Sequence, residues 1–340
     1  MPATDRRTAV PVIALTGHLG AGKTTLLNHV LRIPRARIGV VINDFGEINV
    51  DAALVSGQID EPASIAGGCI CCLPDDGDLD AALATLADPR RRLDAIVIEA
   101  SGLADPAAVA RIIGFNQVPG VRDGGVVDVV DAARHFDTVD RGGVVPARYG
   151  AATLVVVNKL DDVPPSGRTA VMNRVESRVR ERNSHAQVIG AVNGRIDPAL
   201  LFDVAAAADE TGQLSFRDQL LDEQEVTHVH ADAVTVAACG PVDPDLLGEL
   251  LENPPAGVYR MKGFVAVRHR LGIATYVVNI VGSSVHIARA KAAASPCLVA
   301  IGMHLDTDEV RSRIADALRP LDHPASPVAM RRWRRRLTPG

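Results

Sequence analysis

Short, unbroken runs of Val, Ile, Ala and Leu recur between helix-period segments from residue 9 to residue 221. Apolar runs of this length suit strands covered on both faces. Their alternation with helical segments predicts a parallel α/β sheet. Strands are expected over Val10–Leu15, Gly39–Ile42, Ala95–Ile98, Gly125–Val130, Leu154–Val157 and Gln187–Val192. Helices are expected over Thr24–Leu31, Asp78–Leu86, Pro106–Ile113, Arg168–Arg182 and Pro198–Ala207. A polar stretch, Thr211–Glu225, ends that alternation. Beyond it the pattern predicts strand (Val226–Ala238), helix (Asp243–Leu251), four strands (Val258–His269, Ala274–Val281, Ser284–Ala288, Cys297–Met303) and helix (Asp308–Leu318). Grouped strands with flanking helices indicate an α+β unit with a largely antiparallel sheet. The expected fold class is α/β, with a mostly parallel sheet over residues 1–222. A smaller α+β domain over 223–322 and a basic, solvated tail over 323–340 follow.

Composition narrows the function classes. At 340 residues, with 47% hydrophobic and 23% charged residues, the chain can bury one large core or two. A net charge of −5 gives no global basic field for nucleic acid, and 3% aromatics give few stacking platforms. No apolar run is long enough to span a bilayer. Arg6-Arg7 before Ala9–Leu15 resembles a short export signal, but that run feeds the glycine-rich loop described next, so a cytoplasmic address is expected. Five cysteines, three of them crowded together, make a poor disulfide framework.

Gly17-His18-Leu19-Gly20-Ala21-Gly22-Lys23-Thr24 lies between the first strand and the first helix, and is a G-x-x-x-x-G-K-S/T phosphate loop in its required context. Glycines let successive amides converge on phosphate oxygens at a helix N-terminus. Lys23 would reach the terminal phosphates, and the Thr24 hydroxyl would bind Mg²⁺. After the second strand, Asn43-Asp44-Phe45-Gly46-Glu47 offers Asp44 and Glu47 to a metal or to the nucleotide's Mg²⁺, at the sheet edge where ligands sit. Gly67-Gly68-Cys69-Ile70-Cys71-Cys72 places three thiols within four residues. Thiolates select Zn²⁺, Cu⁺ or Fe–S, and three ligands leave a fourth position open, as in exchangeable sites. Buried cysteines and a C-x-x-C redox pair are the competing readings. The third strand ends in Glu99-Ala100-Ser101-Gly102, where many GTPases carry Asp-x-x-Gly as the Mg²⁺ and γ-phosphate sensor. Asn158-Lys159-Leu160-Asp161, after Val155–Val157, points to guanine: the Asp161 carboxylate can accept from N1–H and the 2-amino group, a donor pair that adenine lacks.

GHLGAGKTT, NDFGE, GGCICC, EASG and NKLD, in this order, resemble the CobW-type metallochaperone GTPases, within the phosphate-loop class that includes urease and hydrogenase maturation GTPases. Tyr259-Arg260-Met261-Lys262-Gly263 resembles that family's C-terminal domain. The resemblance implies a GTPase that binds Zn²⁺ or Co²⁺ at Cys69, Cys71 and Cys72, with affinity linked to the nucleotide, and that delivers the ion to a client protein. It carries phosphate binding to Gly20 through Thr25 and guanine reading to Asn158, Lys159 and Asp161. Two departures stand out. Ile42 replaces an acid that some relatives carry before NDFGE, and only His228-Val229-His230-Ala231-Asp232 remains where many carry a long histidine-rich run. A metal buffer without a client, or an activator of one dedicated enzyme such as a nitrile hydratase or a cobalamin-pathway chelatase, are the alternatives. His228 and His230 read as a plain strand face. Arg331-Arg332-Trp333-Arg334-Arg335-Arg336 reads as a frayed tail, and Cys239 and Cys297 as core.

Overall fold

The computed structural model describes residues 9–33, 36–42, 63–64, 77–100, 118–202, 231–270, 272–290 and 296–337. Among these the first unit holds strands β1 (Val10–Gly17), β2 (Ile38–Ile42), β3 (Ala63–Ser64), β4 (Ala95–Glu99), β5 (Val121–Asp131), β6 (Leu154–Asn158) and β7 (Gln187–Gly190). They form one sheet in the order β3-β2-β4-β1-β5-β6-β7, and every pairing is parallel. The six expected strands are present; the short β3 at the edge is additional.

Alternation along each strand sends successive side chains to opposite faces. Ile13 and Leu15 of β1 pack with Leu26, Leu27 and Val30 of helix α1 (Lys23–Leu31), while Val12 and Ala14 pack with Leu79 and Leu83 of α2 (Gly77–Leu86). β6 divides the same way. Leu154 and Val156 join the α1 side, and Val155 and Val157 meet Val175 and Val179 of α4 (Pro165–Arg180), beyond the one-turn α3 (His135–Thr138). Helices on both faces explain why the strands read as unbroken apolar runs.

The second unit is an antiparallel sheet, β11-β10-β9-β12-β8, built from β8 (Asp232–Ala237), β9 (Val258–His269), β10 (Gly272–Val281), β11 (Ser284–Arg289) and β12 (Cys297–Gly302). Helices α5 (Pro244–Glu252), α6 (Thr307–Ala317) and α7 (Pro327–Arg336) complete it. Its sheet contributes Tyr259, Val281 and Ile301, and the chain just after β12 contributes Met303, to the α1-side core of the first unit. Polar ties reinforce the junction: Thr153 Oγ1 and Tyr259 Oη lie 3.2 Å apart, Ser284 Oγ donates to Asp123 Oδ2 at 2.8 Å, and Arg260 Nη1 donates to the Ala199 carbonyl at 2.9 Å. Burial at this junction pushes the Tyr259 phenol up to about 12, against the opposing pull of its Thr153 hydrogen bond and of Arg260. Gly125, at φ +92, is required here. A Cβ on it would sit 2.5 Å from Thr153 Oγ1 and 2.8 Å from Val281.

Three expectations are corrected. The basic tail is not frayed: Ser326 caps α7 by accepting from the Ala329 amide at 3.1 Å, and Trp333 is fully buried against Tyr276, with ring centroids 5.4 Å apart. The arginine run concealed an amphipathic period in which Ala329, Met330 and Trp333 share the inward face. Cys239 is exposed beyond the end of β8, where the chain has left the sheet, and Cys297 is half-buried at the start of β12, so neither is core. Where the helix Pro198–Ala207 is expected to start, Pro198–Leu200 is a 3-10 turn capped by Asp197, and residues 203–207 lie outside the described residues. The expected helix Pro106–Ile113 and the segment Val226–His230 lie outside the described residues.

Candidate functional site

The carboxyl edge of the parallel sheet gathers the chemistry. β1 ends at Gly17, whose φ is +150 and whose absent Cβ would fall 2.6 Å from the Val129 carbonyl oxygen. Gly22, at φ +99, caps α1 in the left-handed region, and a Cβ there would lie 2.3 Å from Asn158 Nδ2. Glycine therefore shapes the loop at both ends. Ala21 is buried, whereas Gly20 and Thr25 are exposed. Lys23 is buried, and its Nζ donates to the Gly17 carbonyl at 3.1 Å, so the ammonium lies across the loop. Thr24 Oγ1 donates to Glu99 Oε1 at 2.9 Å.

Register explains that last contact. Leu15 and Ile42 both pair with Glu99, so β2 and β4 end level while β1 runs on past them to Gly17, and the Ala100 amide donates to the Leu15 carbonyl at 2.9 Å. Glu99 is 2% exposed. A buried carboxylate beside the threonine hydroxyl is a pair of hard oxygen donors, the kind that Mg²⁺ accepts. The residues present fit that ion.

Asn158 ends β6 and is 1% exposed. Its Nδ2 donates to the Ala21 carbonyl at 3.0 Å, and its Oδ1 accepts from the Gly194 amide at 2.8 Å. One side chain thus bridges the phosphate loop and the turn after β7. Lys159, at φ +61, extends its Nζ to Asp131 Oδ2 at 2.8 Å, and Asp161 stands exposed in the 3-10 turn Leu160–Asp162. Burial raises the Asp131 carboxyl, but the Lys159 hydrogen bond and charge, with the Arg134 and Ala133 amides, outweigh it and hold the group below its ordinary value.

The structure brings Gly17, Gly20, Ala21, Gly22, Lys23, Thr24, Glu99 and Asn158 into one connected arrangement, with Lys159 and Asp161 next along the chain. Cys69, Cys71, Cys72, Asp44, Glu47 and Gly102 lie outside the described residues. Among the described residues no group of three His, Cys, Asp or Glu is placed to hold a metal. No helix among them is long and apolar enough to cross a membrane. Two features escaped sequence reasoning. Asn193-Gly194 forms a tight turn with both residues at positive φ, and a Cβ on Gly194 would press on Leu26 N at 2.7 Å; the Asn-Gly dipeptide was the signal. Behind the loop, Thr16 Oγ1 donates to Asp128 Oδ1 at 2.9 Å, while Arg148 grips the same carboxylate with Nε at 2.8 Å and Nη2 at 2.6 Å. An aspartate inside the apolar run Val126–Val130 marked that buried pair.

Residues 11–189, more than half of the chain, match the family described as CobW/HypB/UreG, nucleotide-binding domain. The chain belongs to the CobW/HypB/UreG family. Residues 231–318 match the cobalamin synthesis protein CobW C-terminal domain. This CobW-family chain is 31% identical to the zinc chaperone CobW of Sinorhizobium sp, across 90% of its own length and 96% of that protein. It is 29% identical to the zinc chaperone YjiA of Escherichia coli (strain K12), across 72% and 76% of the two chains. The crystal structure of the Zn(II)-bound YjiA GTPase from E. coli is 21% identical, covers 92% of this chain and 99% of that one, and superposes with a TM-score of 0.42. As a member of this family with an intact phosphate loop and NKLD motif, the protein is a GTPase.

Proposed function

We propose that this GTPase is a metallochaperone that binds Zn²⁺ or Co²⁺ at Cys69, Cys71 and Cys72 in a nucleotide-dependent way and delivers the ion to a client protein. The observation that carries the reading is the Thr24–Glu99 hydrogen bond. It couples the phosphate loop to the strand end from which Ala100–Gly102 continues. The NDFGE and cysteine segments follow β2 and β3, strands that reach the same edge in register with β4. The zinc chaperones and zinc-regulated GTPase metalloprotein activators among its relatives support metal as the cargo.

Each residue then has a role. Loop amides from Gly20 to Thr25 cradle the phosphates, and Lys23 leaves the Gly17 carbonyl to meet the terminal phosphates. Thr24, with Glu99 and Glu47, would hold Mg²⁺, which when bound neutralises charge on the β- and γ-phosphate oxygens. Asp161 accepts from the guanine edge, the Lys159 stem lies along the base, and Asn158 braces the loop from behind. GTP orders the segments containing Glu47 and Gly102 and completes the thiolate site between them in sequence; hydrolysis loosens it. A fully closed zinc site worth roughly 10–16 kcal/mol would be too tight to hand over. Swinging a two-state site from 99:1 to 1:99 takes about 5.5 kcal/mol, on the scale of ordering two loops around a γ-phosphate.

Two assays test the reading. Asp161→Asn exchanges a double acceptor for an amide, so GTP affinity should fall at least tenfold while xanthosine triphosphate gains; unchanged GTP affinity would contradict guanine reading. Zn²⁺-loaded protein with GTP should form a complex with a metal-requiring apoprotein and transfer the ion. A pure buffer would exchange Zn²⁺ with a chelator and form no such complex.

A further inference from the structure

The second unit carries a large cleft remote from the phosphate loop. It encloses about 950 Å³ between the β9–β10 hairpin and α7. Four arginines line it, Arg270 and Arg289 from the sheet side and Arg331 and Arg334 from the helix, over an apolar floor that includes Tyr276 and Met330. Among the described residues no carboxylate lines it. The volume lies at the upper end of those that take drug-sized ligands, which is room for several residues of peptide.

Charge pairing on α7 is one-sided. Arg332 and Arg336, one turn apart, meet acids of α5: Arg332 Nη1 lies 3.6 Å from Asp245, and Arg336 reaches Glu252 at 2.7 Å. The Arg336 hydrogen bond holds the Glu252 carboxyl below its ordinary value. Among the described residues, none of Arg270, Arg289, Arg331 and Arg334 has a carboxylate within salt-bridge distance. The chain as a whole is acidic, at −5, so this uncompensated cluster is local. Its field reaches into the cleft. His269, hydrogen-bonded to the Tyr276 hydroxyl at 3.0 Å, is held below its usual range by burial and then by the charges of Arg289 and Arg334.

We infer that this cleft is a docking site for an acidic peptide segment of another protein, with carboxylates on the four arginines and apolar side chains on the Tyr276–Met330 floor. Arginine favours this occupant, because its planar fork grips carboxylates bidentately and is more weakly hydrated than an ammonium. The concave shape favours a peptide over a lipid surface, which a cleft cannot approach closely. A folded helix face and a hairpin supply the walls, so the site is preorganised. The inference does not depend on the metal or the nucleotide.

The test begins by panning a random nonamer peptide library against the full-length protein. Enriched peptides are then titrated by fluorescence polarisation against wild type, Arg331→Glu/Arg334→Glu and Arg335→Glu. The last variant reverses a single charge on the same helix outside the cleft. Arg331→Ala/Arg334→Ala, with thermal melts of every variant, controls for misfolding, since both side chains are exposed. Enriched peptides should carry Asp or Glu beside Leu, Phe or Met. They should bind the Arg331/Arg334 variants at least tenfold more weakly and bind Arg335→Glu like wild type. Absence of acidic enrichment, or equal affinity for wild type and Arg331→Glu/Arg334→Glu, would overturn the inference. So would tighter binding of a single-stranded oligonucleotide or phosphatidylserine vesicles that is lost in the same double variant.

Discussion

Replacing Asn158 with Ala removes two buried hydrogen bonds at once and should expose how the site is held together. Its amide nitrogen donates to the Ala21 carbonyl at 3.0 Å and its oxygen accepts from the Gly194 amide at 2.8 Å. Each neutral bond contributes about 1 kcal/mol net, rising to as much as 3 where the surviving partner stays buried and unpaired. The Gly194 amide is such a partner, because that turn presses on the start of α1. The expected loss is therefore about 2–4 kcal/mol. Asn158→Asp should lose nearly as much: it keeps an acceptor for Gly194 but sets a carboxylate oxygen against the Ala21 carbonyl. Because Ala21 lies inside the phosphate loop, GDP affinity should fall with stability, by at least tenfold. Urea unfolding followed by fluorescence, and titration with a fluorescent GDP analogue, read the two effects. Stability within about 0.5 kcal/mol of wild type together with unchanged GDP affinity would refute the bracing role.

Arg148→Met leaves Asp128, fully buried, without its bidentate partner; a broken buried pair costs about 3–5 kcal/mol, and urea unfolding measures it. Trp333→Ala empties the site beneath α7 and should cost about 3–5 kcal/mol, and deletion of residues 323–340 should do at least as much; either change leaving the melting temperature untouched would restore the view of a solvated tail. Burial pushes the His135 imidazole down to about 4, against the opposing pull of Asp128 and Asp140. Below about pH 6.5 the unfolded chain binds a proton that the folded chain refuses, so stability should fall between pH 6.5 and pH 4, by at most about 3 kcal/mol. Unfolding curves across that range should be flatter for His135→Gln.

Much of this was legible from residue order alone. Unbroken Val and Ile runs announced strands covered on both faces, and the spacing of Gly17, Gly22, Lys23 and Thr24 announced a phosphate loop, because a backbone at positive φ leaves few choices but glycine. Long-range pairing was not legible. That Asn158 reaches Ala21, or that Thr24 reaches Glu99, follows from strand order and register, which local patterns do not encode. The tail failed for another reason. Five arginines masked a helix whose burial depends on Tyr276 and whose charges are partly answered by Asp245 and Glu252, residues far away in sequence.

The central claim is that nucleotide gates a thiolate metal site. Competition of Zn²⁺ and Co²⁺ against a calibrated chelator, with Mg²⁺ and either a non-hydrolysable GTP analogue or GDP, tests it most directly when wild type is compared with the Cys69→Ser/Cys71→Ser/Cys72→Ser variant. The account predicts tighter binding in the GTP state, lost in the triple variant. Equal affinity in both nucleotide states, or tight binding that survives the loss of the three thiols, would contradict it.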